Sequence, residues 1–276
     1  MAELVLGVGV PHTPYFPRMV EQGGRSGSRI GSLFHEAAQR LEAAAPDVLL
    51  VLDSDHLVNF FFNNLPTFCI GLADEAEGPY ETSRQMPWYK VKISQELGTG
   101  LLQHGLNSGF DFAGAEELRL DHSILVPLHF LTPKMQIPIV PVFIKGLATP
   151  LPRARRCHAL GKMIRRFIER WPGKERVALI ASGSFSLEVG GPQMGWIDEE
   201  WIKTLVQLMR EGKTEELVRR ATSRRMLAAG NTGGELLNWI ALLGALGEER
   251  PAFIEPDLQP SEQPRDGHAY AVWEVK

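Results

Sequence analysis

The amino-acid sequence predicts an α/β fold, a layered domain with one central sheet, mostly parallel or mixed, flanked by helices. Three observations predict it. Residues 4–10 and 48–52 are short, β-branched apolar runs of the kind found in strands buried on both faces. A helical stretch over 31–45 lies between them, so the chain opens as a β-α-β unit. Downstream, strand candidates at 67–71, 137–143 and 177–181 are interleaved with helix candidates at 93–104, 123–131, 154–169, 198–210 and 235–246.

The elements follow in order from their residues. Each of the five strand candidates is a short apolar run, and each helix candidate is longer than a single strand needs. Within 154–169 and just beyond it, Leu160, Met163, Ile164, Phe167 and Trp171 recur at helical spacing. This places Arg153, Arg155, Arg156, Lys162, Arg165, Arg166 and Arg170 on the wet face of an amphipathic helix rather than in a polyanion site. Residues 74–86 are polar and rich in turn formers, and 255–267 are rich in proline and charge, so both read as surface loops or lids. A chain of 276 residues with 44% hydrophobic and 22% charged residues suits one domain spanning 1–276.

Composition narrows the functional classes. A net charge of −4 gives no reason to expect nucleic acid as a partner. No apolar run is long enough to span a bilayer, and residues near Met1 lack the basic, apolar and small-residue order of a secretory signal. The expectation is a cytoplasmic protein without a membrane partner. Cys69 and Cys157 have neither metal-ligand nor disulfide-framework spacing and read as buried small hydrophobes. Gly7-Val8-Gly9 lacks the third glycine of a dinucleotide loop.

The chemistry-bearing candidates sit where elements hand over. His12 follows the first strand in Val10-Pro11-His12-Thr13-Pro14, and His56 follows the second in Asp53-Ser54-Asp55-His56. Both would lie at the carboxyl edge of an α/β sheet, where ligand crevices form. Glu235 opens the last predicted helix in Gly233-Gly234-Glu235-Leu236-Leu237-Asn238-Trp239. Two histidines and a carboxylate can bind non-haem Fe(II) on one face and leave coordination positions open, but ligands so far apart must converge through the fold. From the residues alone each also reads as structural: a histidine after a strand as a hydrogen-bonded loop residue, and Glu235 as a first-turn carboxylate favoured by the helix dipole. Phe60, Phe61, Phe62, Phe68 and Trp88 read first as core aromatics and second as a wall for a ring substrate.

These segments resemble the class III extradiol ring-cleavage dioxygenases. The resemblance rests on the His12-Thr13-Pro14 segment, on Asp55-His56 followed by Asn59-Phe60-Phe61-Phe62-Asn63-Asn64, on Leu120-Asp121-His122-Ser123 leading to Val126-Pro127-Leu128, and on the Gly-Gly-Glu-Leu-Leu-Asn-Trp start of the last helix. It implies that His12, His56 and Glu235 hold a catalytic Fe(II), that His122 lies in the wall of the active site, and that the reaction inserts both atoms of O₂ beside the diol of a catechol-type ring. It also implies a homo-oligomer or a hetero-complex with a related subunit. Alternatives of other classes are a non-catalytic subunit of such a complex and a Zn²⁺ hydrolase using the same ligands.

One position departs from the family pattern. Where a Ser-His pair usually supplies the general acid/base, this chain has Ser186-Leu187, and Leu187 cannot transfer a proton. His122 is the expected substitute, with Ser184, Ser186 and Glu188 as weaker ones. His268 is expected to contact substrate from the end of the chain. Arg119 and Lys145 are conceivable partners for a substrate carboxylate. His35, His104, His129 and His158 fall in predicted helices and read as structural or exposed.

Overall fold

The computed structural model describes residues 1–81, 86–258 and 267–275. The chain runs β1 (Glu3–Val10), α1 (Phe16–Gln22), α2 (Gly24–Ala44), β2 (Val48–Asp53), β3 (Phe68–Gly71), β4 (Glu75–Gly78), β5 (Tyr89–Lys92), α3 (Gln95–Asn107), β6 (Ala113–Ala115), α4 (His122–Leu131), β7 (Ile139–Ile144) and α5 (Ala154–Arg170). It continues through β8 (Arg176–Ser182), α6 (Glu199–Arg210), α7 (Thr214–Arg220), α8 (Ser223–Ala228), a 3-10 turn at Gly233–Glu235, α9 (Leu236–Leu246), β9 (Phe253–Asp257) and β10 (His268–Glu274). The main sheet has eight strands in the order β6-β3-β7-β2-β8-β1-β10-β9. Its four central strands, β7, β2, β8 and β1, are mutually parallel. β10 is antiparallel to β1, β9 to β10 and β3 to β7, so the sheet is mixed.

Strand alternation accounts for the two layers around this sheet. In β2, Leu49 and Val51 face a core built with Ile30, Phe34 and Leu41 of α2 and Leu125 of α4. Val48, Leu50 and Leu52 face the other core, with Leu160 and Ile164 of α5 and Ile240 of α9. Every residue of β2 is buried, which is why 48–52 are all apolar; Asp53, at the end of the strand, is a buried carboxylate. On α5 the stripe of Leu160, Met163, Ile164 and Phe167 is buried, while Arg155, Arg156 and Arg166 are exposed. Cys69 and Cys157 are buried free thiols, and burial pushes the Cys69 thiol up to about 12.

α9 is buried along its whole length, wedged between α5 and the sheet. That close approach depends on glycine: a Cβ on Gly161 would collide with the carbonyl of Ala241, and one on Gly9 with the indole of Trp239. The glycines of the first strand therefore admit helix side chains, not phosphates. Gly161→Val is expected to destabilise the protein by about 1–3 kcal/mol, the usual cost of overpacking a core, seen as a lowered midpoint in thermal or denaturant unfolding. An unchanged midpoint would mean that α5 and α9 are not in close contact.

Two expectations need correction. Phe61, Phe62 and Trp88 are 53%, 79% and 54% exposed and do not belong to the core, whereas Phe68 does. The 59–64 segment leaves the sheet through a turn closed by Asn64 N–H donating to the Phe61 carbonyl, and Phe62 lines the cavity described below. The predicted loops 74–86 and 255–267 lie partly outside the described residues; the described parts hold β4 and the end of β9.

Candidate metal centre

The carboxyl ends of the central parallel strands converge on one spot. His12 follows β1, Ser182 ends β8 and His56 follows β2. Because β10 pairs antiparallel with β1 in a register that joins Gly9 to Ala271, its first residue, His268, lies at the same edge. The 3-10 turn brings Glu235 in from the helical layer. Its glycines are pressed against backbone: a Cβ on Gly234 would collide with the Gly146 carbonyl and one on Gly233 with the Met226 carbonyl.

His12 and Glu235 are buried and His56 is half-buried. His12 Nε2 lies 3.3 Å and His56 Nε2 3.4 Å from the same carboxylate oxygen, Glu235 Oε1. The other carboxylate oxygen, Oε2, accepts the Ser184 N–H at 2.8 Å. The remaining contacts settle the imidazole tautomers. Ser182 Oγ donates its only proton to the Ser123 carbonyl at 2.6 Å, so at 2.6 Å from His12 Nδ1 it must accept, which places the His12 ring proton on Nδ1. His56 Nδ1–H donates to Asp121 Oδ2 at 3.2 Å, and the His56 backbone N–H reaches the same oxygen at 2.7 Å.

Two imidazoles whose Nδ1 protons are committed therefore aim Nε2 lone pairs at one carboxylate oxygen. Only a cation reconciles that arrangement, either a proton or a metal ion. Burial opposes charge on His56, yet hydrogen bonds and charge from Asp121 and Glu235 outweigh it and raise its pKa well above the ordinary value. Burial likewise opposes ionisation of Glu235, and the two histidines overcome it, holding the carboxyl well below its usual range. The donor set fits a divalent metal with open positions, and such a metal would compete with a proton at His56, so binding would strengthen as pH rises.

Asp121 does two jobs. It caps α4 by accepting the Ser123 N–H at 2.8 Å on Oδ1 and orients His56 through Oδ2. Ser123 Oγ also contacts Asp121 Oδ1 and lies 3.1 Å from Asp53 Oδ2. One hydroxyl proton cannot serve both carboxylates. Burial and the charges of Asp121 and Asp55 raise the Asp53 carboxyl well above its ordinary value, the direction that favours a proton held between these groups. Asp121→Asn, which keeps the shape but removes the charge, is expected to weaken divalent-metal binding by about 10–100-fold. Titration of the apo protein would show it, and unchanged affinity would detach Asp121 from the centre.

His122 is the first residue of α4. Its ring centroid is 4.1 Å from that of His56 and 5.4 Å from that of His12. Ligand nitrogens of these three histidines fall within 4.8 Å of one another. What separates His122 from the other two is its partner: Glu81 Oε1 accepts both its backbone N–H at 2.7 Å and its Nδ1–H at 2.9 Å. Burial, joined by the charge on His56, lowers the His122 pKa although Glu81 opposes the shift, so the imidazole is neutral near pH 7.

A cavity of about 840 Å³ opens above these residues. His12, His56, His122, Glu235 and His268 all line it, as does Leu187. His268 is buried between Phe16 and Tyr270, with Nε2 3.8 Å from Asp257 Oδ2. Glu188 also reaches the cavity and accepts the Asn231 N–H at 2.9 Å. Ser186 is a structural residue: Oγ donates to the Ala229 carbonyl at 2.6 Å and accepts the Asp198 N–H at 2.8 Å. Arg119 lies outside the cavity with its guanidinium 4.7 Å over the Tyr80 ring, whereas Lys145 is in the wall.

Glu81, Ser182 and Asp53 were not anticipated from sequence. A carboxylate in a turn-rich segment and a serine at a strand end carry no local signal of such roles. Asp121 had one, since an Asp two residues before a serine at a helix start is a capping pattern.

A family described as "Catalytic LigB subunit of aromatic ring-opening dioxygenase" matches residues 6–266. The 2,3-dihydroxyphenylpropionate/2,3-dihydroxicinnamic acid 1,2-dioxygenase 1 of Pseudomonas putida is 31% identical over 194 residues, 70% of this chain and 59% of that protein. The corresponding enzyme of Klebsiella pneumoniae (strain 342) is 29% identical over 170 residues, 61% of this chain and 52% of its own length. The chain thus spans little more than half the length of these curated relatives. A crystal structure of an uncharacterized protein from Escherichia coli K12 shares the fold, with a TM-score of 0.58 at 13% identity over 97% of this chain and 99% of that one.

Proposed function

Because the chain belongs to the family of the catalytic LigB subunit of aromatic ring-opening dioxygenases, we propose that it opens the ring of a catechol-type substrate with O₂, using Fe(II) held by His12, His56 and Glu235. The observation that carries this reading is the convergence of two Nε2 lone pairs on one buried carboxylate oxygen, with both tautomers set from behind. When bound, the metal would supply open positions at which a vicinal diol and O₂ meet in one geometry. Residues 1–276 act in this reading as one domain.

The chain's own residues divide the remaining work. His122, neutral and held by Glu81, takes the proton of a substrate hydroxyl on its free Nε2 and returns it later in the cycle. Leu187 occupies the wall as an apolar surface, excluding water where it cannot carry a proton. His268, between Phe16 and Tyr270, contributes an imidazole to the cavity that receives the substrate. Anaerobic purification followed by metal analysis, Fe(II) loading and a panel of catechols, protocatechuate and gallate among them, tests the proposal. Expected results are about one iron per chain, O₂ uptake and a yellow ring-opened product. A chain that takes up zinc and no iron, or one that consumes no O₂ with any of the panel, would refute it.

A further inference from the structure

Three permanent cations line the cavity among the described residues, and they are not equivalent. Arg29 is engaged, with Nε 3.0 Å from Asp257 Oδ1 and an Nη–H donating to the Pro256 carbonyl at 3.2 Å. Arg25 is exposed at the rim. Lys145 is half-buried in the wall, and no carboxylate of the described residues lies within ion-pair reach of its ammonium. The carboxylates that share the wall are committed elsewhere. Asp55 accepts the backbone N–H groups of Val58, Asn59 and Phe60, Asp257 holds Arg29, and Glu188 accepts the Asn231 N–H.

The backbone around Lys145 ties it to the centre. It follows β7 at the carboxyl edge, where its N–H donates to the Thr67 carbonyl at 3.0 Å. The next residue, Gly146, leaves no room for a side chain: a Cβ there would collide with Ser54 Oγ and come within 3.1 Å of the Gly234 carbonyl. Lys145 is thus one residue from a contact with the turn that carries Glu235 and with the segment that leads to His56. Phe143 and Leu147 flank it along the cavity. Phe16, Met19, Ile30 and Leu33 give the wall an apolar stretch, and the space of about 840 Å³ admits more than a bare catechol ring.

We infer that Lys145 binds the anionic end, a carboxylate, of a side arm on the ring substrate and so sets the preference for acidic over neutral catechols. An ammonium in the cavity wall with no carboxylate of the described residues in reach is open to a ligand carboxylate, which would meet it in a charge-assisted hydrogen bond. The inference rests on the ring-opening reading for the place of the ring, not for the charge of the arm.

The test compares 2,3-dihydroxyphenylpropionate with its neutral methyl ester, both titrated anaerobically into the metal-loaded protein by calorimetry. The parent is expected to bind the acid about 10–100-fold more tightly than the ester, the worth of one hydrogen bond between charged groups. Lys145→Met is expected to erase that preference and Lys145→Arg to retain most of it, with a melting midpoint reporting that both variants fold. The inference is overturned if the parent binds acid and ester alike or fails to bind the acid. It is equally overturned if Lys145→Met keeps the parent's preference, or if Arg25→Gln loses it instead. Should the acid bind as expected while admission of O₂ opens neither ring, the catalytic reading fails and Lys145 keeps its role.

Discussion

Single replacement of His12, His56 or Glu235 with Ala is expected to abolish stoichiometric binding of Fe(II), and ring opening with it, by a factor of about 10³ or more. Each residue would supply one of only three protein bonds to the metal. Loss of Glu235 removes the one anion on which both Nε2 atoms converge. Loss of His12 frees Ser182 but not its bond to the Ser123 carbonyl, so the strand edge should hold. Metal analysis after anaerobic loading, paired with a melting curve, separates loss of the ion from loss of the fold. If two of the three variants bound iron as tightly as the parent, the assignment would be wrong, and the grouping of His12, His56 and His122 would need to be reconsidered.

Turnover of His122→Ala should fall by about 10² or more with metal content unchanged, in line with the usual worth of general acid/base catalysis. The reaction needs a group that accepts a proton near neutral pH, and Leu187 offers none. His122 is neutral, faces the cavity and is fixed by Glu81 through both its backbone N–H and its Nδ1. Glu81→Gln should give a smaller fall together with a shifted pH profile, since it alters the basicity of the imidazole without removing it. Steady-state rates across pH for both variants decide the matter. Turnover within a few-fold of the parent in His122→Ala would move the role to His268 or Glu188.

Much of this architecture is readable from particular residues. The runs 4–10 and 48–52 are apolar at every position because both faces of β1 and β2 are covered, and periodicity alone reports that. The start of α4 is readable from Asp121, whose side chain caps it. β9 and β10 are not readable, because their edge and near-edge pairing depends on a register with β1 that spans most of the chain. Gly9 illustrates the same limit: its sequence neighbours suggest a failed phosphate loop, whereas its purpose is to admit Trp239, 230 positions later.

At the centre, residue type and order already show which side chains could serve as ligands, at which strand ends they stand, and that position 187 carries no proton donor or acceptor. Those are properties of residue type and of local hand-over between elements. Packing, by contrast, sets that Nε2 rather than Nδ1 of each histidine faces Glu235, that Glu81 stands behind His122, and that Lys145 but not Arg119 enters the cavity. Tautomers, hydrogen-bond partners and the placement of a charge are set by atoms distant in the chain that meet through packing, and no local pattern of residues encodes such a meeting.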